Sequence, residues 1–132
     1  MPILQAAKRV LSRYARFSGR ASRAELWWWV LGWFVLIAFT RFIDASVIAP
    51  VLGFATFAPE AGQPLSVLVS LALLLPNLAV GARRLHDIGR TGWWLCIGIV
   101  PAVGALILIY FYVQPTQPGE NRFGSPDPLP RA

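Results

Sequence analysis

The sequence is poor in the residue types that usually carry catalysis or bind metals. Its 132 residues include one cysteine, one histidine and six acidic residues. A single cysteine, Cys96, excludes an intramolecular disulfide and a cysteine-built metal site. One histidine with a few acids does not make a convincing metal centre, and no catalytic constellation stands out. We therefore expect a protein that is not an enzyme and that has neither a cofactor nor a bound metal.

Charge is also scarce, while apolar residues are abundant. Hydrophobic residues make up 56% of the chain and charged residues 14%, with a mean hydropathy of +0.56, well above the apolar share of soluble domains. The net charge of +6 does not indicate nucleic acid, because six of the twelve Lys and Arg residues precede the first apolar run. Anionic lipid headgroups are the nearer partner there. Composition predicts a small membrane protein.

Three apolar stretches predict transmembrane helices at about 26–49, 65–82 and 93–113. We interpret the third stretch as one crossing rather than a hairpin, and residues 114–132 as a proline-rich tail. The 21–113 region then forms one transmembrane domain. Residues 42–59 are apolar enough for an interfacial or broken helix, which stays open as an alternative.

Several polar or helix-breaking residues lie within these stretches. Arg41 and Asp44 are three residues apart, so they can pair near the far end of the first span. Pro76 frees a backbone carbonyl in the second, and Asn77 can satisfy it or bond a neighbouring helix. The third stretch contains Gly98, Pro101 and Gly104.

Orientation follows from the Lys and Arg residues that flank the spans. There are six in 1–25, one in 40–64, three in 82–92 and two in 114–132. Since positive residues stay on the cytoplasmic side, the N-terminus and the 82–92 segment are predicted to be cytoplasmic. Three crossings then place the tail on the opposite side, whereas a re-entrant third segment would return it to the cytoplasm.

A basic amphipathic segment, residues 1–20, precedes the first span. Its arginines at positions 9, 13, 16 and 20 are spaced by four, three and four, and apolar residues form a separate stripe. This pattern predicts an interfacial helix that serves as a topology anchor or as an anionic-lipid surface. Ser18 and Gly19 are predicted to turn the chain. The following Ser22 and Glu25 have the spacing of a helix capping box.

The densest polar segment of the chain is residues 82–94, which join the second and third stretches. We predict that Glu25 and Asp87 pair with arginines and clamp the first two spans together. Binding of a lipid headgroup is the alternative. The residues that carry either role are Arg20, Arg23, Glu25, Arg83, Arg84, His86, Asp87 and Arg90. An interfacial aromatic belt, or alternatively a ligand-stacking platform, is predicted for Trp27, Trp28, Trp29, Trp93 and Trp94.

Three blocks resemble a bacterial inner-membrane family, domain of unknown function 805. They are FSGRASRAELWWW (17–29), ARRLHDIGRTGWW (82–94) and PGENRFGSPDP (118–128). The resemblance implies a small polytopic membrane protein and carries over no catalytic or cofactor residues. The tail motif Asn121, Arg122 and Gly124 looks too specific for a disordered end, so we expect it to pack onto the domain or onto a partner. If the tail meets the polar segment, the three-crossing topology is wrong.

The sequence thus predicts an all-α membrane protein of the bacterial cytoplasmic membrane, with about three transmembrane helices after a basic interfacial helix. Our leading functional prediction is a non-enzymatic accessory protein that docks a larger membrane complex. Its expected partners are anionic membrane lipids and other membrane-protein subunits. The alternative is a factor that binds or transports a lipid or small amphiphile through the polar segment and the tryptophans. An enzyme that acts on a lipid through His86 and Asp87 is the least favoured reading.

Overall fold

The computed structural model describes residues 3–126, and within that range the fold is all-α, as predicted. The α-helices are α1 (Ile3–Ser12), α2 (Arg23–Ile43), α3 (Ala49–Val51), α4 (Pro64–Ala72), α5 (Leu74–Asp87) and α6 (Val103–Val113). A π-helical turn spans Asp44–Ile48, and 3-10 helices span Pro59–Ala61 and Gly92–Ile99. No strand is found among these residues, and a single bridge between Asn121 and Gly124 closes a turn in the tail. The part of the predicted tail from 127 to 132 lies outside the described residues.

The chain divides into two compact units. One contains residues 1–30 and 75–132, and the other contains residues 31–74. Every residue of the polar segment and of the described tail belongs to the first unit, which we call the polar unit.

Helix α1 has the predicted amphipathic character but is shorter than the 1–20 segment. It buries Ala6 and Val10 and ends at Ser12, whose hydroxyl donates a hydrogen bond to the Arg9 carbonyl (2.9 Å). Serine side chains compete in this way with backbone helix bonds. The chain then turns at Gly19, which has a φ of +88°, a conformation that glycine adopts without strain.

Helices α2 and α3 run continuously through the π-helical turn from Arg23 to Val51, and the 26–49 prediction falls inside this length. This helix of 29 residues is long and apolar enough to cross a membrane. Only 17% of its most apolar 18-residue stretch is buried within the structure. At its start, the Ser22 hydroxyl accepts a hydrogen bond from the Glu25 amide (3.2 Å). That is half of the predicted capping box, since the Glu25 carboxylate is directed elsewhere.

In the 31–74 unit, the Asp44 carboxylate binds the N-terminus of α4. It accepts hydrogen bonds from the Leu65 amide, the Ser66 amide and the Ser66 hydroxyl, each at 2.8 Å. The predicted pairing of Asp44 with Arg41 is therefore wrong. The first turn of a helix offers unpaired N–H groups and a positive dipole end, and these satisfy the carboxylate instead of the exposed Arg41.

The second apolar stretch forms a broken helix. A break at Leu73 separates α4 from α5, and only the two helices together are long and apolar enough to span a membrane. The described residues thus contain one clear candidate span, or two with this pair. Within the polar unit, Asn77 accepts a hydrogen bond from the Trp29 indole (2.7 Å), which is the neighbouring-helix contact considered for it.

The third apolar stretch is a hairpin, so the prediction of a single crossing over 93–113 is wrong. The 3-10 helix Gly92–Ile99 packs against α6, with the rings of Trp94 and Phe111 5.3 Å apart. The chain reverses between them, where Ala102 has a φ of +62° and Gly104 lies against the Ile97 carbonyl. Proline and glycine interrupt the helical hydrogen bonds here. Twenty-one apolar residues are therefore folded back on themselves, as in the re-entrant alternative.

Candidate functional site

Five buried charged residues of the polar unit converge beside the C-terminal half of α5. We call Arg20, Glu25, Arg83, Arg84 and Asp87 the ion-pair cluster. The exposed fraction of Arg20 is 3%, and that of each of the other four is 0%. The last nine residues of α5 are all buried, so its charged side chains have protein around them on every side.

Asp87 is the centre of the cluster. Its Oδ1 accepts a hydrogen bond from Arg20 Nε (2.9 Å), and its Oδ2 accepts from Arg84 Nη1 (2.5 Å) and the Thr116 hydroxyl (2.6 Å). One carboxylate is thus the shared counterion of two guanidinium groups and also binds the tail. Charge-assisted hydrogen bonds of this kind are roughly twice as strong as neutral ones.

Arg20 connects the N-terminal segment to the tail through all five of its N–H donors. Besides the Nε bond to Asp87, Nη1 donates to the Gly119 (2.7 Å) and Gly124 (3.1 Å) carbonyls. Nη2 donates to the carbonyls of Asp87 (3.2 Å) and Gln117 (2.5 Å). Arginine has five donors and no acceptor, so this side chain is fully used in holding the tail.

Glu25 forms the second half of the cluster. Its Oε2 accepts from Arg83 Nη1 (2.5 Å), and its Oε1 lies 2.9 Å from Arg9 Nε on α1. Nε and Nη2 of Arg83 are buried without a hydrogen-bond partner among residues 3–126. Because buried donors are normally paired, Arg83 is the least completely hydrogen-bonded arginine of the cluster.

Arg84 joins the cluster to the end of the hairpin. Its Nε donates to the Tyr112 carbonyl (3.3 Å) and its Nη2 to the Gln114 carbonyl. The indole of Trp27 also donates to the Tyr112 carbonyl (3.3 Å). At the other end of the hairpin, Gly92 lies beside Ala82. Both ends of the hairpin therefore contact residues of α5.

His86 packs at the junction of the three sequence blocks. Its Nδ1 is 2.9 Å from the Gly19 carbonyl, and its ring stacks on Phe123 with centroids 4.0 Å apart and an interplanar angle of 2°. Its carbonyl accepts from the Asn121 amide (3.0 Å). His86 lies beyond the 65–82 span, and burial lowers its pKa below the ordinary value of 6.5 because the charged imidazolium is poorly solvated there.

The remaining predicted residues have more peripheral positions. Arg23 donates to the Val113 carbonyl (3.2 Å), and the guanidinium of Arg90 lies over the rings of Trp94 (5.3 Å) and Phe111 (4.5 Å). Arg122 lies over the ring of Phe123 (4.8 Å). The predicted tryptophan belt is not uniform. Trp27 and Trp29 donate internal hydrogen bonds, whereas the side chain of Trp93 is 82% exposed.

The tail meets the polar segment, which is the arrangement expected to conflict with three crossings, and residues 3–126 contain one clear candidate span, or two with the α4–α5 pair. Residues that sequence reasoning missed are Thr116, Gln117, Gly119 and Phe123, which bind the cluster or His86. The block at 118–128 was the signal for this contact. Its partners could not be named, however, because Gln117, Gly119 and Gly124 are bound through main-chain carbonyls.

Burial of the ion-pair cluster limits the chemistry that its side chains can perform. Both acids of the cluster are held in buried ion pairs, and the guanidinium groups of Arg83 and Arg84 are not exposed to a lipid headgroup. In the described part of the chain, no group of three or more His, Cys, Asp or Glu side chains is placed to hold a metal ion.

The blocks that form this site also identify the family. The model of the family described as protein of unknown function DUF805 matches residues 14–125. The chain belongs to this family. It is similar to the inner membrane protein YhaH of Escherichia coli K12, with 40% identity over 120 residues, 91% of this chain and 93% of YhaH. It is also similar to the inner membrane protein YhaI of the same organism, with 39% identity over 116 residues, 88% of this chain and 89% of YhaI.

No solved structure matches the chain. The DUF805 match contains the 82–94 segment and most of the described tail but begins after α1. All members of the ion-pair cluster therefore lie within the family region, and this chain is a membrane protein of a family whose relatives are bacterial inner membrane proteins.

Proposed function

We propose that this DUF805 protein is a non-enzymatic accessory protein of the bacterial inner membrane that docks a larger membrane complex. The observation that carries the proposal is that the side chains best suited to acid–base chemistry are engaged in internal contacts. Glu25 and Asp87 are fully buried in ion pairs, and the His86 ring is held by Gly19 and Phe123. The two carboxylates stabilise the fold, so neither of them is available to His86 as a catalytic partner.

The surface of the protein supports a role within a membrane assembly. The helix from Arg23 to Val51 leaves most of its apolar side chains outside the protein core, which suits lipid or another subunit. The partner we propose is an integral membrane protein. On the basic side, α1 and the following turn present Arg13 and Arg16, which are not fully buried, to anionic lipid.

The topology we propose has both the N-terminal segment and the tail at the cytoplasmic face. Arg20 and Asp87 bind the tail to the cluster, and the Lys and Arg residues before the first span favour the cytoplasm. With both at one face, the number of complete crossings is even. Two crossings and a re-entrant hairpin over 92–113 account for this better than three crossings.

Copurification tests the docking proposal. A tagged chain is extracted from its native host into nanodiscs, and native mass spectrometry identifies what remains bound. A stoichiometric complex with another membrane protein is expected. A free protein that carries only lipid would refute docking. As a control for enzymatic function, a His86→Ala variant that still folds is expected to copurify with the same complex.

A further inference from the structure

A mostly apolar cavity lies between α5 and the hairpin of the polar unit. Its volume is about 460 Å³, and its wall includes Phe17, Leu78, Ala82, Trp93 and Leu95. Small-molecule sites have volumes of roughly 300–1,000 Å³, with a few polar groups that fix orientation. His86 also lines this cavity, so one polar group is present in an otherwise apolar wall.

The contacts of His86 define which hydrogen-bonding group it presents. Its Nδ1 is 2.9 Å from the Gly19 carbonyl, and a carbonyl oxygen only accepts, so Nδ1 carries the proton. The ring is neutral at physiological pH because burial lowers its pKa. Nε2 is then an acceptor, and no hydrogen bond from residues 3–126 ends on it. A Cβ atom placed on Gly92, which also lines the cavity, would lie 3.7 Å from Nε2.

The acceptor is also fixed in place. Phe123 stacks on the ring, and the hydrogen bond to Gly19 opposes rotation. A neutral acceptor in an apolar cavity disfavours carboxylate and phosphate, which bring a second acceptor and a large desolvation cost. An ammonium group is disfavoured by the same cost. A hydroxyl group donates one hydrogen bond and carries no charge.

We propose that this cavity binds an amphiphile whose apolar chain ends in a hydroxyl group, and that His86 Nε2 accepts the hydrogen bond from that hydroxyl. At about 30 Å³ for a group the size of water, the cavity holds roughly fifteen such groups. A medium-length chain fits this volume. The hydroxyl belongs either to an aliphatic lipid alcohol or to a phenol such as a hydroquinone, and the two are distinguished experimentally.

Three probes with eleven non-hydrogen atoms each provide the test. They are 1-decanol, 4-butylphenol and 1-methoxynonane, of which the last lacks the donor. His86 is the only histidine, so the ¹⁵N-histidine-labelled full chain in phosphatidylcholine nanodiscs gives the signals of one imidazole ring, and its unprotonated Nε2 is distinguished from the protonated Nδ1 by chemical shift. Decanol or butylphenol is expected to shift the Nε2 resonance upfield in a saturable manner, and the ether is not. The probe that saturates the shift at the lower concentration shows whether the natural ligand is an aliphatic alcohol or a phenol. A shift from neither hydroxyl, or an equal shift from the ether, overturns the proposal.

A matched pair of variants on α5 locates the site. Leu78→Trp fills the cavity, whereas Leu75→Trp adds the same bulk at a residue that does not line it. At least tenfold weaker saturation is expected for Leu78→Trp, and unchanged saturation for Leu75→Trp. Equal saturation in both variants overturns the assignment. The His86 signal without probe shows whether each variant is folded.

A second readout needs no variant, so it holds even if Leu78→Trp fails to fold. Cys96 is the only cysteine and lines the same cavity. Saturating decanol or butylphenol is expected to slow its alkylation by N-ethylmaleimide severalfold, with a smaller effect of the ether. An alkylation rate that neither hydroxyl probe changes overturns the proposal. None of these results depends on whether the protein docks a larger complex.

Discussion

Neutralising Asp87 is the change that most directly probes the ion-pair cluster. Asp87→Asn keeps the side-chain size but leaves the buried guanidinium groups of Arg20 and Arg84 without their shared counterion. Removing one partner of a buried ion pair costs about 3–5 kcal/mol. Two charge-assisted hydrogen bonds at about 1.5–3 kcal/mol each give a similar value. We expect the free energy of unfolding to fall by about 3–5 kcal/mol.

The assay is chemical denaturation in mixed micelles, followed by tryptophan fluorescence. Glu120→Gln is the matched control, because it makes the same change of charge at an exposed residue of the tail. Its expected effect is within about 0.5 kcal/mol. Limited proteolysis after residue 113 is expected to accelerate in Asp87→Asn alone, since the asparagine keeps only one of the two oxygens that bind Arg20, Arg84 and Thr116. An Asp87→Asn variant that is no less stable than Glu120→Gln would refute a stabilising role of these ion pairs.

Three further predictions concern other parts of the fold. The pKa of His86 is lowered in the folded protein, so the unfolded state binds more protons below about pH 6.5. The free energy of unfolding is therefore expected to decrease as the pH drops below this value, by at most about 1.4 kcal/mol per pH unit. The unfolding free energy of His86→Gln is expected to lose this component of the slope, and an unchanged slope contradicts the assignment. Gly104→Ala places a methyl group against the Ile97 carbonyl, whereas Gly98→Ala meets only the Leu108 side chain at 3.4 Å. Thermal unfolding is expected to show a loss of about 1–3 kcal/mol or more for the first variant and less for the second, and equal losses would argue against the hairpin. Asp44→Asn turns a donor toward the amides of α4 and is expected to cost about 1–3 kcal/mol in denaturation, more than Ser46→Ala, whose hydroxyl bonds only the Phe42 carbonyl.

The ion pairs of the site could be predicted from the sequence. Glu25 and Asp87 are acids beside apolar stretches with arginines nearby, and burial of an unpaired charge is too costly to be a realistic alternative. The candidate residues Arg20, Arg83 and Arg84 follow from the same argument. Ser22 marked the start of α2 because its hydroxyl is spaced to cap the helix.

The rest required the three-dimensional structure for identifiable reasons. A run of twenty-one apolar residues has the same composition whether it crosses once or folds back, and the glycines and proline at 98–104 were the only local sign of a turn. The tail binds Arg20 through carbonyl oxygens, which every residue possesses. Asp44 binds backbone N–H groups at the start of α4 rather than Arg41, and backbone groups leave no side-chain pattern in the sequence.

Arg20 and Asp87 bind the N-terminal segment and the tail to each other, and we propose that both segments therefore lie at the same face of the membrane. Single cysteines at exposed sites, Ser12→Cys and Glu120→Cys, each in a Cys96→Ala background, test this with a membrane-impermeant maleimide. Both are predicted to stay unlabelled in intact cells and to label together once the inner membrane is permeabilised. Labelling of Glu120→Cys but not Ser12→Cys in intact cells would contradict it.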